Sequence, residues 1–152
     1  MRFTAQTDFG LRLLMYVQAS SPRRVTIQEI ARQLDLSQAH LMRIAASLVA
    51  SGFLVSSRGR TGGLELAKRP EAITVGDVVR ALEPDFGLVE CFPPRLGPCR
   101  LIPACRLKGV LERATDAFFA ELDRATLLDL VDVNDQRLIR LIGVVREPVS
   151  IQ

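Results

Sequence analysis

Tryptophan is absent from this chain, tyrosine and histidine occur once each, and cysteine occurs three times. Each shortage removes a class of chemistry. One histidine, His40, and no C-x2-C pair exclude the usual four-ligand zinc modules built from Cys and His alone. No histidine stands near any cysteine in the sequence to activate a thiol, and no substrate site is evident, so the chain reads as a non-enzyme. Long apolar runs are lacking too, which excludes a bilayer-spanning helix. The opening stretch MRFTAQTDFGLRLLMYV is broken by Asp8, Gly10 and Arg12 and is followed by no small-residue cleavage site, unlike a secretory signal. The expectation is a cytoplasmic protein with reduced thiols and no membrane partner, in which an odd cysteine count favours metal or redox chemistry over disulfides.

What is present is a basic first half. Residues 1–80 hold 11 Lys and Arg against 6 Asp and Glu, a local charge of +5, whereas residues 81–152 hold 9 against 11, or −2. A polyanion is the natural partner of such a half. At 152 residues and 48% apolar content, the chain has material for one core and an appended arm.

Apolar spacing at Leu13, Leu14 and Val17, widened by Leu11 and Met15, predicts a helix over 5–20 that closes at the SSP of 20–22. Thr26 and Glu29 form a capping-box pattern ahead of a short helix with Ile27, Ile30, Ala31 and Leu34 on its buried stripe. Ser37 caps the next helix, in which Leu41, Ile44, Ala45, Leu48 and Val49 face inward until Gly52. Two helices joined by about three residues are a helix-turn-helix, whose second helix enters the major groove of double-stranded DNA N-terminus first. Gln38, Ala39, His40 and Arg43 then stand nearest the bases: Gln suits adenine, Arg suits guanine, and Ala39 can touch a thymine methyl. FLVSS, RGRTGG and LELAK read as strand, turn and strand, a wing whose Arg58 and Arg60 suit the minor groove or its phosphates. A further short helix over 72–83, capped at Thr74, closes the domain before Pro84.

All three cysteines fall within fifteen residues, Cys91, Cys99 and Cys105, in a segment that holds four of the eight prolines. Zinc would need a carboxylate or a second chain to complete its four ligands. An iron–sulfur cluster accepts a weaker ligand at one corner, leaving an iron that a small molecule can attack. A redox thiol or a disulfide switch is the other chemistry open to the trio. From Ala104 to about Arg124, Leu107, Val110, Leu111, Ala114, Ala117, Phe118 and Leu122 recur at helical spacing, and such a helix needs a partner. A second copy is the expected one, because helix-turn-helix proteins read paired half-sites as dimers. Thr126 caps a short helix, TLLDLV, and LIRLIG adds a last apolar piece before a polar tail.

MRFTAQTDFGLRLLMY, RGRTGGLELAK, GDVVRALE, PACRLK and LDRATLLDLV together resemble the winged-helix regulators that include NsrR, IscR and RirA, over nearly the whole chain. The resemblance implies a homodimeric transcriptional repressor with an iron–sulfur cluster on Cys91, Cys99 and Cys105. The nitric-oxide-responsive members take the fourth ligand of a 4Fe-4S cluster from an aspartate of the partner's first helix, and Asp8 stands at that position. The C-x7-C spacing is also similar to that of the iron-responsive members, which tend to lack an acid at position 8. Members with a 2Fe-2S cluster use a histidine shortly after the third cysteine, where this chain has Arg106, Leu107 and Lys108, so 4Fe-4S is favoured over 2Fe-2S. The expected organisation is a mainly α protein with a small β-wing. It comprises a winged helix-turn-helix at 1–83, a cluster-binding loop at 84–105, and a dimerisation helix with a C-terminal segment at 106–152. The expected function is nitric-oxide sensing through the cluster; the alternative on the same scaffold is response to iron or cluster status.

Overall fold

A computed structural model describes residues 2–59, 61–132 and 135–143. The central element is helix α1, Ala5–Ser20, capped by Thr4, whose hydroxyl accepts from the Thr7 amide. Leu13, Leu14 and Tyr16 on α1 are completely buried. Gly10 lies on the same helix, where a Cβ would press on the Leu82 methyl and force that side chain to move.

Helix α2, Ile27–Leu34, ends on Asp35 in the left-handed region (φ 53), a conformation that Asp tolerates. Helix α3, Gln38–Ala50, begins after Ser37, whose hydroxyl caps the His40 amide. Two details depart from the expected pattern. Thr26 does cap the Glu29 amide, but the Glu29 carboxylate does not reach back to the cap. It is taken by the Tyr16 hydroxyl at 3.0 Å and by Arg23 at 2.6 and 3.0 Å, so half of the box is spent on tying α1 to α2. Val49, expected on the inner stripe of α3, is 37% exposed, while Leu41, Ile44 and Leu48 are buried.

The wing follows as β1, Leu54–Ser57, and β2, Gly63–Leu66, paired antiparallel from Leu54–Leu66 to Ser57–Gly63. Val25, just ahead of α2, pairs with Leu64 on the other side of β2 through bonds of 3.1 and 2.8 Å. Gly63 permits that approach: its φ is +155°, and a Cβ there would lie 2.8 Å from the Val25 carbonyl. A 3-10 turn at Pro70–Ala72 leads to α4, Val75–Leu82, capped by Thr74 as expected.

The segment from 83 to 105 has little regular structure beyond a 3-10 turn at Ile102–Ala104. Helix α5, Arg106–Arg124, is 19 residues and so about 28 Å long. None of its residues is fully buried, and Leu107 and Val110 are 60% and 50% exposed. Its C-terminal half is anchored. Arg80 of α4 donates to both Asp123 oxygens at 2.6 and 2.8 Å and lies 4.5 Å from the Phe119 ring centre. Phe118 and Phe119 meet Phe3 and Phe86 edge-on or tilted. Helix α6, Leu127–Leu130, carries a complete capping box between Thr126 and Asp129. Helix α7, Gln136–Ile142, ends on Gly143 in the left-handed region. Leu127, Val131, Ile139 and Ile142 return to the core formed by α1 to α4 and the wing. The architecture is mainly α with a two-stranded wing, as the sequence led one to expect.

Candidate nucleic-acid interface and metal centre

The exposed side of α3 carries Gln38, Ala39, Met42 and Arg43 near its start. Arg43 has no ion pair among the described residues, so its guanidinium is available. His40 is placed differently from its three sequence neighbours. It is half-buried and packs edge-on against Phe9 of α1, with ring centres 5.5 Å apart. Arg58 is exposed at the wing turn, opposite the end where β2 enters the core. Arg60 lies outside the described residues.

Phe9 leads back to a second group. The Arg12 guanidinium is 5.8 Å from the Phe9 ring centre. It also donates through Nε and Nη2 to the two oxygens of Asp8, at 3.1 and 2.8 Å. Asp8, Arg12, Phe9 and His40 thus form a contiguous chain from the solvent side of α1 to the first turn of the recognition helix. Phe9 extends the core stripe of α1, four residues before Leu13, and packs against the core, so periodicity gives it a packing role and no sign of the His40 contact. Its value lies in a tertiary contact.

The cysteine segment is pinned at its base. Asp85 accepts from the Gly87 amide at 2.6 Å and from Arg95 at 2.6 and 2.9 Å, and these bonds hold its carboxyl below the usual range. The Phe92 ring is buried and anchors the middle. Cys91 and Cys105 are half-buried, Cys99 is exposed, and all three are free thiols. They line one cavity of about 270 Å³ together with Glu90, Lys108 and the leucines 101, 107 and 111. Cys105 also stands at the N-cap of α5, where no side chain accepts the first amides. The first turn of that helix therefore lines the cavity through Cys105, Leu107 and Lys108. Among the described residues no three His, Cys, Asp or Glu side chains converge tightly enough to hold one metal ion. The trio surrounds a space instead of meeting at a point.

That arrangement fits a group of several metal atoms: three soft sulfur donors, an apolar lining, and room between them. Within one chain Asp8 is not among the residues around the cavity. It projects from α1 and has 45% of its side chain exposed, which leaves it accessible to a second molecule. Glu90, next to Cys91 in the chain, also lines the cavity and brings a carboxylate to it.

No helix among the described residues is long and apolar enough to cross a membrane. Over 144 residues the chain is 39% identical to the HTH-type transcriptional regulator NsrR of Bacillus licheniformis, covering 94% of this chain and 100% of the relative. It is 40% identical to the regulator of the same name from Bacillus subtilis over 143 residues, 93% of this chain and 97% of the relative. Among solved structures it is similar to CymR, the global cysteine regulator of B. subtilis, with a TM-score of 0.70 and 27% identity over 86% of this chain and 95% of that one. T. potens IscR matches with a TM-score of 0.68 and 27% identity over 86% of this chain and 85% of that one. These relatives are transcriptional regulators, in keeping with a DNA-binding role and not with catalysis. The Rrf2 model, described as an iron-dependent transcriptional regulator, matches residues 3–133, and this chain belongs to the Rrf2 family.

Proposed function

We propose that this protein is a homodimeric transcriptional repressor that holds an iron–sulfur cluster on Cys91, Cys99 and Cys105 and releases its operator when nitric oxide reaches that cluster. The observation that carries the reading is the shared cavity of the three free thiols at the head of α5. Similarity to regulators named NsrR supports nitric oxide as the signal. A 4Fe-4S cluster would take its fourth ligand from Asp8 of the second subunit, and the exposed apolar face of α5, with Leu107 and Val110, is the proposed subunit contact. When bound, the cluster supplies iron that nitric oxide can ligate. The chain's own part is mechanical. Asp8, once drawn to a ligand, gives up part of its grip on Arg12. The guanidinium then shifts over Phe9, and Phe9 shifts the His40 turn at the start of α3. Gln38, Ala39, His40 and Arg43 are assigned to the major groove, and Arg58 and Arg60 to the backbone or minor groove beside it.

Protein purified without oxygen should be brown, bleach on addition of nitric oxide, and lose operator binding in step with the bleaching. A colourless protein that binds one zinc ion and ignores nitric oxide would refute the proposal. The family description as iron-dependent, with the similarity to T. potens IscR, favours iron or cluster status as the second reading. Under that reading an iron chelator releases the operator and nitric oxide does not.

A further inference from the structure

From Leu36 to Leu64 the chain has no acidic residue, and the only charges are those of Arg43, Arg58 and Arg60. This stretch includes the whole of α3, so its surface is complementary to a polyanion. Yet beyond Gln38 and Arg43 the outward face of α3 is apolar. Ala39, Met42 and Ala46 are all exposed and recur at helical spacing, with Arg43 the one charged side chain beside them. Met42 is 57% exposed, an unusual position for a large flexible apolar side chain one turn into a recognition helix. Val49, 37% exposed, continues the apolar character towards the C-terminus.

A hydrogen-bonding readout of several bases would need more amides, hydroxyls or arginines than the Gln38 and Arg43 that this face carries. What the face offers is van der Waals contact. The only apolar group that a base pair presents in the major groove is the thymine C5 methyl. Small residues at 39 and 46 let the helix backbone approach closely, and the unbranched Met42 thioether between them can reach sideways for a methyl. We infer that Met42 is a specificity-determining residue that reads thymine methyls, so that each half-site adds thymines under Met42 to the adenine and guanine assigned to Gln38 and Arg43. This rests on the reading that α3 enters the major groove, and it is independent of the signal and of the cluster's composition.

The test begins with full-length protein purified without oxygen, which selects its site from a random duplex library. The selected duplex is then remade with deoxyuridine in place of thymidine, one position at a time, deleting single methyl groups and nothing else. For the wild type, at least one such replacement in each half-site is expected to weaken binding about fourfold, the effect of one exposed methyl(ene)-sized group. For Met42→Ala the same replacement should change affinity less than about 1.5-fold, and Met42→Leu should restore the sensitivity. Met42 is exposed, so the variants fold. Two results overturn the inference in distinguishable ways. If Met42→Ala and Arg43→Ala both leave affinity intact, α3 does not enter the groove. If Arg43→Ala weakens binding while every deoxyuridine replacement is silent, α3 enters but Met42 reads no methyl.

Discussion

Tyr16 is the only tyrosine of a chain without tryptophan, which makes its ionisation directly observable. The ring is fully buried on α1, and its hydroxyl donates to the Glu29 carboxylate at 3.0 Å. Burial first, and then the neighbouring carboxylate, push the phenol up from 10.0 to about 12. The sign follows from linkage. A group whose acidity is weakened by folding contributes stability below its unfolded value, and that contribution is lost as the pH rises towards the folded value. At about pH 11 an unfolded tyrosine is about nine-tenths ionised, whereas Tyr16 in the fold is about one-tenth ionised. The wild type should therefore lose about 1.4 kcal/mol from this group alone between about pH 7.5 and about pH 11. Tyr16→Phe removes a hydrogen bond to a charged acceptor that keeps Arg23, and should cost about 1.5 kcal/mol at neutral pH.

The two proteins should therefore differ at about pH 7.5 and nearly converge at about pH 11, because only the wild type has the phenol to lose. Urea unfolding at both pH values measures the gap, and comparing the variants cancels the lysines and thiols that titrate in both. Tyrosinate absorbance of the folded wild type, minus that of Tyr16→Phe, gives the ionisation midpoint independently. A gap that stays constant with pH, or a folded midpoint near 10, would refute the account of the α1–α2 tie.

Three further outcomes follow from the same geometry. Arg12→Ala breaks an exposed pair and should lower stability by no more than about 0.5 kcal/mol, yet shrink the difference in operator affinity between cluster-loaded and cluster-free protein; equal differences in variant and wild type would remove Arg12 from the coupling. Arg43→Ala should cost about 1–3 kcal/mol and relax preference at one base pair, whereas Arg58→Ala should weaken all sequences alike and reduce the salt slope by about 1, as read by fluorescence anisotropy over a salt series. Gly76→Ala would drive a methyl into the Asp123 carboxylate and displace it from Arg80, so amide exchange should rise in α5 but not in α1; unchanged protection in α5 would show that the pair does not anchor it.

The sequence made the local devices legible because each is written in adjacent residues. The Thr26, Ser37, Thr74 and Thr126 caps, the helix-turn-helix and the wing all appear where their patterns place them. The misses are tertiary. Glu29 belongs by spacing to a capping box, but a tyrosine thirteen positions earlier and Arg23 compete for its carboxylate and win with charge-assisted bonds. Val49 fits the inner stripe of α3, yet it falls at the edge of that stripe and is 37% exposed beside the fully buried Leu48. The pairing of Val25 with Leu64 and the return of α6 and α7 to the core depend on packing that periodicity does not encode. At the site, three thiols clustered in the sequence also line one cavity in the fold. The Phe9–His40 contact had no counterpart in any motif.

That contact gives a reason why the weak ligand proposed on α1 would suit a regulator. The inner face of α1 is packed without slack: a Cβ at Gly10 would press on the Leu82 methyl, Ile44 of α3 sits beside the same point, and Leu13 and Leu14 are wholly buried. A close-packed helix shifts as a body, not by bending at one residue. Its N-terminal turn is already gripped from within the chain, because one Glu83 oxygen, at the stem of the cysteine segment, accepts from the Thr4 amide at 3.1 Å, the Thr4 hydroxyl at 3.1 Å and the Thr7 hydroxyl at 2.5 Å. In the proposed dimer a second grip, through Asp8 on the same turn, comes from the other subunit's cysteine site. A change at either site then acts on α1 near its pivot. Through Ile44 and the His40 edge contact, a small rotation of α1 re-aims the helix that carries Met42 and Arg43. A ligand embedded in the cysteine loop would reach α1 only through the Glu83 stem, since Asp85 and Arg95 tie the loop to itself. In the proposed dimer the carboxylate's weakness as a ligand would therefore matter less for holding the cluster than for where its release is felt.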